Sequence, residues 1–598
     1  MGTVSGASAR GDPRSAAEVP SPASLERPEP QNAPPEPAAA PADAEQRPPE
    51  RPPARHRRLA LRTALVSSLT LVSRVLGYAR EMLAAALFGD TSGVFDAFLT
   101  AFRVPNLFRR FLGEGALATS FQTALTEVDE THGEAAGGHL FRRTLGLMFV
   151  VSFVLSLLVM AAVAAAPDTV PGTGWAWLGA DPEAVRDLTV RVMPFLVLVC
   201  LSSLVTGALQ VRGRFGAPAF APAAMNLAWI GTLLVIAWHF GWSEGPAEAA
   251  GDLSERHVAM ARWLAWGLLV AGVVQLAVQW PALRATGLWG RLGPGQGLPA
   301  GAPGPGEVLR RAAPLALGAA VYQINVMVDG LMAESLLPDG GPTAHYYANR
   351  VQQFPLALIA VAATSAVFPA LKQLGHRGEL GALRRLHDRT HLAVAAVALP
   401  AAVGLYVLAR PVVEVSFERG AFGEEGVRRT TLALKALCFA IVPAGATGLV
   451  ARTYYSVGDF STPVKVSAAM LVLNGLLNVL FLVVLGMDVE GLAAATAITS
   501  ALNVALLLPG LTGRLGLPAS DAPFASTLPR VAAATALSGL AAGWVQGAVV
   551  PWAGPAPALL AAIAAGGAVY LAAALALGVE DVRDISRKIL RRLRPARG

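Results

Sequence analysis

The sequence predicts an all-α polytopic membrane protein of about fourteen transmembrane helices, arranged as two six-helix lobes plus two extra helices. Three observations carry this reading. Hydrophobic residues make up 54% of the 598 and charged residues 15%, too few polar atoms to cover a water-soluble fold of this size. Apolar stretches recur from Leu61 to Leu577 at lengths near the roughly 20 residues that a helix needs to cross a hydrocarbon core of about 30 Å. Short motifs repeat between the two halves at a constant offset of 245 residues.

Residues 1–58 hold 13 of the 43 prolines among Ala, Glu and Arg, and contain no apolar run of signal-peptide length. The expected reading is a disordered cytoplasmic tail. Apolar segments then fall at 61–88, 93–118, 144–166, 188–210, 217–240, 258–282, 309–335, 344–370, 390–409, 431–454, 463–486, 489–512, 527–550 and 555–578. Loop charge fixes an orientation, because cytoplasmic loops are enriched in Arg and Lys. With the N-terminus inside, the inner loops contain Arg142, Arg143, Arg212, Arg214, Arg284, Arg291, Arg310, Arg311, Arg377, Arg384, Arg385 and Arg389. The outer loops 168–187, 244–255 and 488–490 are mainly acidic, while 410–429 is mixed in sign. Beyond the last segment, Val582, Ile585, Ile589 and Leu593 share a helical face amid Arg587, Lys588, Arg591 and Arg592. That pattern suits a basic amphipathic helix on an anionic inner leaflet, with both termini cytoplasmic.

The repeat divides the chain. Gly213-Arg-Phe-Gly-Ala-Pro218 returns as Gly458-Asp-Phe-Ser-Thr-Pro463, Ala223-Ala-Met225 as Ala468-Ala-Met470, and Ala118-Thr-Ser120 as Ala363-Thr-Ser365. Segment 2 therefore maps onto 8 and segment 5 onto 11. This gives an N-lobe at 59–300, a C-lobe at 301–515, two extra helices at 516–579 and the tail 580–598. Paired lobes with a site at their interface are the architecture of alternating access.

Composition also excludes several functions. The net charge of +7 rests on arginines in short loops, which fits membrane topology and not nucleic acid. None of the four lysines follows a glycine, so a Walker-type phosphate loop is missing and no nucleotide cofactor is expected. Cys200 and Cys438 each sit in an apolar stretch, which suits packing residues and neither a disulfide framework nor a zinc site.

Ionisable groups at membrane depth cost a few kcal/mol each, so they face a cavity or a partner. Here they concentrate in segments 1, 2, 7 and 8: Arg74, Arg80 and Glu81; Asp96, Arg103, Asn106, Arg109, Arg110 and Glu114; Gln323, Asn325, Asp329 and Glu334; Asn349, Arg350 and Gln353. At 100° per residue, Asp96, Arg103, Asn106, Arg110 and Glu114 fall in one polar sector of segment 2. Pro105 kinks that helix, and beyond it Arg109 can also turn inward. Arg109, Arg110 and Glu114 equally fit a cytoplasmic helix end whose arginines snorkel to headgroups, and Arg74 with Glu81 fits an ion pair within one helix. Arg80 and Arg350 lie in apolar sequence without an excess of neighbouring acid. Arginines in excess suit a diphosphate, since guanidinium binds phosphate oxygens through paired hydrogen bonds.

These runs, Ser73-Arg-Val-Leu-Gly-Tyr-Ala-Arg80-Glu81, Phe102-Arg-Val-Pro-Asn106-Leu-Phe-Arg109-Arg-Phe-Leu-Gly-Glu114 and Tyr346-Tyr-Ala-Asn-Arg350-Val-Gln-Gln-Phe-Pro355, with Gly213–Pro222 and Gln323-Ile-Asn325, resemble the MurJ (MviN) lipid II flippase family. The resemblance spans about residues 60 to 515 and implies the MOP exporter fold. It implies an inner-membrane flippase for lipid II, the undecaprenyl-diphosphate-linked disaccharide peptide of peptidoglycan synthesis. It further implies a central cavity lined by Arg74, Arg80, Asp96, Asn106, Arg109, Glu114 and Arg350, with Arg80, Arg109 and Arg350 as diphosphate ligands. The last two helices would form a groove for the lipid tail, and cell-wall synthesis machinery would be a partner. Some members look as though they bind sodium, and the matching positions are Asp329, Asn474, Asn478 and Thr496. Two departures stand out at the arginines: Glu81 replaces the usual Asp, and Asn349 replaces the acid before Arg350. In the cation set, Asn478 replaces an expected acid; Asn474 and Asn478 alone also fit hydrogen bonds between helices.

Membrane potential, a proton or sodium would drive net movement, one charge through 100 mV contributing about 2.3 kcal/mol. The rivals are a flippase for another polyprenyl-diphosphate-linked saccharide, a MATE-like exporter, a membrane glycosyltransferase and a transport-inactive scaffold. A cation exporter calls for an acid-dominated cavity, and a transferase for patterned carboxylates in an outer loop.

Overall fold

A computed structural model describes residues 54–89, 93–109, 116–168, 181–242, 250–289, 299, 301–364 and 367–579. The expected N-terminal tail, except for its last helical residues, and the basic C-terminal helix lie outside these, as do Arg110, Glu114 and Ser365. Every described element is helical. The first half contains α1 (Ala54–Phe88), α2 (Gly93–Phe108), α3 (Ala116–His132), α4 (Glu134–Ala165), α5 (Pro182–Val192), α6 (Pro194–Val211), α7 (Gly216–Phe240), α8 (Ala250–Ala277) and α9 (Trp280–Arg284). The second contains α10 (Pro305–Leu336), α11 (Gly341–Thr364), α12 (Phe368–His376), α13 (Leu380–Val407), α14 (Ala409–Phe417), α15 (Glu424–Ser456), α16 (Ser461–Val479), which runs on into a π-helical turn at Leu480–Val484, and α17 (Val489–Gly513). Finally come α18 (Phe524–Ala553) and α19 (Pro555–Ala576).

Among the described residues, 10 helices or helix pairs are long and apolar enough to cross a bilayer. They coincide with segments 3 to 6 and 9 to 14. The four remaining segments are helical too, as α1, α2, α10 and α11, and they are the four that carry the ionisable residues. One boundary differs from expectation. Segment 4 is two helices, because Pro194 has no N–H to continue the ladder and instead opens α6 at its first turn. Pro182 opens α5 in the same way, with Asp181 Oδ1 accepting from Ala184 N at 2.9 Å as the cap.

The 245-residue repeat is structural. Gly213 and Gly458 both take left-handed φ values, +69° and +88°, in the turn that launches α7 and α16. The helices themselves begin at Gly216 and Ser461, the same distance apart as the repeat.

Packing distinguishes two ends of the body. One continuous apolar core joins both halves where α1 ends, α2 begins and α15 begins; Phe88, Phe95, Phe98, Tyr347, Phe417 and Phe422 belong to it. At the opposite end there are two smaller cores: one around Phe121, Phe141 and Leu204, which also takes in Val308 and Ala312 of α10, and one around Leu371, Tyr454 and Leu507. The end with the large shared core is the outer one in the orientation expected from loop charge. There the chain turns meet backbone to backbone: Ala421 N donates to Ala86 O at 2.9 Å, and Gly420 lies so close that a Cβ would stand 2.3 Å from Ala86 O.

α18 and α19 pack on each other, α18 against α13 and α19 against α14. Their buried faces are small or polar (Ala534, Thr535, Ser538, Gly539, Ala542, Gly566), while Trp544 is 75% and Trp552 91% exposed. An apolar exterior over a small-residue interface is the arrangement lipid demands, because close backbone approach replaces the hydrophobic effect as the cause of association.

Candidate functional site

Two of the arginines expected at the centre, Arg80 and Arg350, converge between the halves. Arg80, 6% exposed on α1, donates through Nη2 to Glu81 Oε1. Arg350 reaches the same oxygen from α11, with Nη2 at 3.2 Å and a third of its side chain exposed. Tyr346, one turn earlier on α11, donates its hydroxyl to that oxygen at 2.9 Å. Glu81 is 3% exposed, so three donors offset the cost of burying its charge. Its partners are Arg80 and Arg350, not Arg74 as the sequence allowed; Arg74 is exposed on α1. The resulting Arg–Glu–Arg arrangement ties α1 to α11, and thus one half to the other.

Asn106 and Arg109 form a second group at the end of α2. The Asn106 Oδ1 accepts from Arg109 Nε at 3.2 Å and Nη2 at 3.0 Å, so the guanidinium is held by its own helix, and both side chains are half-buried. Asp96 departs from expectation. It is 2% exposed and spends its carboxylate on backbone. Its carboxylate accepts from Gly340 N at 2.6 Å, from Thr343 N at 2.8 Å and from Thr343 Oγ1 at 2.5 Å. These are donors at the start of α11, so Asp96 caps that helix from across the interface, where the helix dipole favours an anion. Arg103 also crosses over, donating to the backbone oxygen of Gly330, while Thr100 donates to Glu334 Oε2 at 2.7 Å.

The four expected cation-site residues come together on α10, α16 and α17. Asp329 Oδ1 accepts from Asn478 Nδ2 at 2.9 Å, and Asp329 Oδ2 lies 3.4 Å from Thr496 Oγ1 and 3.1 Å from Asn325 Nδ2. Asn478 Nδ2 also donates to Asn474 Oδ1 at 3.2 Å. Asn474 and Asn478 are fully buried, and the Asn478 Oδ1 has no hydrogen-bond partner among the described residues. Here the Nδ2 of Asn478 faces the carboxylate; the carboxylate, amide and hydroxyl oxygens of these side chains are the donor class that a hard cation takes.

Beside the arginines, a cavity of about 520 Å³ opens between α1, α11, α13, α14, α18 and α19. Tyr78, Phe354, Leu405, Ala542, Ile563 and Tyr570 are among its walls, which are almost wholly apolar. Phe354 stands one turn after Arg350 on α11, so the groove and that arginine share a face of α11. Sequence reasoning did not single out Tyr346, Asn226 or Trp229, which also touch the cluster. Asn226 is a polar residue within an apolar stretch and could have been flagged; a lone Trp in such a stretch carries no signal.

A family model described as lipid II flippase MurJ matches residues 84–557. A probable lipid II flippase MurJ from Rhizobium meliloti (strain 1021) is 29% identical over 545 residues, covering 89% of this chain and 96% of the relative. The lipid II flippase MurJ of Burkholderia cenocepacia is 30% identical over 452 residues, 75% of this chain and 83% of the relative. Among solved structures, a lipid II flippase MurJ in an inward closed conformation aligns with a TM-score of 0.64 at 20% identity, covering 86% of this chain and 98% of that one. An inward-facing multidrug resistance MATE family transporter of the MOP superfamily aligns with a TM-score of 0.58 at 12% identity, covering 76% and 98%. The fold is that of the MOP exporters, and the chain belongs to the lipid II flippase MurJ family.

Proposed function

We propose that this chain carries lipid II from the inner to the outer leaflet of the bacterial cytoplasmic membrane by alternating access, without covalent chemistry. The observation that supports this most directly is the meeting of Arg80 and Arg350, from opposite halves, on one carboxylate oxygen of Glu81. A diphosphate offers several such oxygens in bidentate geometry and competes with Glu81 for both guanidiniums. Arg109 is the third ligand and reaches the phosphate by leaving Asn106. Releasing Glu81 loosens the tie between α1 and α11, so substrate entry and movement of the lobes are linked.

The N-lobe (59–300) and C-lobe (301–515) rock about the joined outer end, with about fourteen helices crossing the bilayer and both termini inside. Basic inner loops support this orientation. The apolar groove beside α18 and α19 takes the polyprenyl tail while the headgroup occupies the interface. A monovalent cation at Asp329, Asn474, Asn478 and Thr496, with the membrane potential, supplies the driving force. Contacts with cell-wall synthesis machinery would deliver and consume the substrate.

The test is complementation of a strain depleted of its lipid II flippase, with lipid II exposed at the outer surface as readout. Wild type should restore exposure, while Arg80→Ala, Arg109→Ala and Arg350→Ala should each reduce it at least tenfold at equal expression, the scale of a lost charge-assisted contact. Normal exposure in all three variants would overturn the site.

A further inference from the structure

Arg80 is held by more than its carboxylate. Its Nη1 donates to Asn226 Oδ1 on α7 at 3.1 Å, and its guanidinium carbon stands 4.0 Å from the centre of the Trp229 ring, also on α7. Asn226 and Trp229 are three residues apart, so they project from one face of α7. Both are buried, at 7% and 4% exposure. The remaining hydrogen-bonding capacity of Asn226 is spent on α1: its Nδ2 donates to Ser73 O at 3.0 Å and lies 3.4 Å from Ser73 Oγ. Trp229 is fixed in turn by α2, with the rings of Phe102 and Phe98 set edge-on at 5.4 Å and 6.5 Å.

We propose that Asn226 and Trp229 are positioning residues for the diphosphate: a clamp on α7 that keeps the Arg80 guanidinium aimed at the lobe interface when Glu81 gives way to substrate. The inference rests on Arg80 being a phosphate ligand. A buried guanidinium that exchanges the one anionic partner it has among the described residues must stay oriented through the change. A hydrogen bond in the guanidinium plane and an aromatic face against it constrain two independent rotations. Guanidinium is suited to both contacts at once, being planar and weakly hydrated. Neither contact carries negative charge, so the clamp does not compete with phosphate as Glu81 does. Because Trp229 also packs on Phe102, one residue before Arg103 and seven before Arg109, the clamp links Arg80 to the helix that carries the third ligand.

The experiment measures farnesyl diphosphate binding to the purified full-length protein in nanodiscs. Trp229→Leu and Asn226→Ala should each weaken binding about tenfold, the effect of losing a desolvated cation–π contact or a hydrogen bond to a charged group. Trp229→Phe, which keeps an aromatic face in the same packing space, should stay within about threefold of wild type. In an Arg80→Ala background, Trp229→Leu and Asn226→Ala should produce no further loss, as residues acting through Arg80 must. Equal losses with and without Arg80 would overturn the proposal and make the pair structural. So would wild-type binding by Trp229→Leu, or Trp229→Phe binding as weakly as Trp229→Leu. Wild-type binding by Arg80→Ala alone would instead remove the phosphate-ligand reading beneath it.

Discussion

Single residues here act mainly by how completely their polar atoms are used, and Asp459 shows it outside the membrane. Its Oδ1 accepts from Thr462 N at 3.0 Å and its Oδ2 from Thr462 Oγ1 at 2.7 Å, at the start of α16, while Arg514 Nε reaches Oδ2 at 2.8 Å from the end of α17. Partial burial acts to raise its carboxyl, but the hydrogen bonds from Thr462 and Arg514 outweigh that and hold it below the usual carboxylate range. A carboxyl lowered on folding stabilises at neutral pH, and that stability is lost as pH falls below the ordinary value of about 3.9 toward the lower folded one. Asp459→Asn keeps a capping oxygen but removes the charge that Arg514 meets, and should therefore cost about 0.5–1 kcal/mol at pH 7, seen as a lower unfolding temperature. The gap to wild type should narrow on acidification to about pH 3. A gap unchanged over that range would show that charge plays no part. The sequence revealed Asp459 only as a place in the repeat. Its partner Arg514 is 55 positions away, so only the packed turns bring them together.

Elements that read as ordinary spans differ in what their ends do. α2 was legible as an amphipathic helix with a polar stripe, yet the target of Asp96 at its first turn was not, because helical periodicity gives a direction and not a distance. In the fold that direction leads to the backbone of Gly340 and Thr343, and a residue expected at a cavity wall becomes a cap holding two halves together. Asp96→Ala leaves those buried N–H groups without an acceptor, at a cost of about 2–3 kcal/mol confined to the conformation with the outer end joined. The population of that conformation should fall by more than tenfold. Val94→Cys, introduced with Cys200→Ala and Cys438→Ala, reports this. It should react with a membrane-impermeant maleimide from outside at least tenfold faster when Asp96→Ala is added; an unchanged rate would mean that the cap does not hold the outer end. The break of segment 4 at Pro194 was visible as a proline but not as a helix start, since proline serves both at a kink and at a first turn.

For the whole molecule, transport requires that binding at one place alter contacts at another. The candidate cation site lies on α10, and α10 also receives Arg103 and Thr100 from α2, so occupancy beside Asp329 can bias how the halves meet. Replacing sodium by choline should slow the appearance of lipid II at the outer surface of wild-type vesicles, and Asp329→Asn should abolish the difference between the two salts. Equal rates in wild type would remove sodium as the coupling ion. The sequence by itself determined the class of molecule: segment positions, the repeat, the loop-charge pattern and the concentration of ionisable groups in segments 1, 2, 7 and 8. Each of these is a local property, fixed by hydropathy, helical period or charge within one stretch of chain. Only the tertiary structure decided which anion each arginine faces, that Asp96 caps α11, that Asn226 and Trp229 enclose Arg80, and which aromatic residues of the two halves share one core. These depend on which helix surfaces meet, and that is settled by packing between residues far apart in sequence.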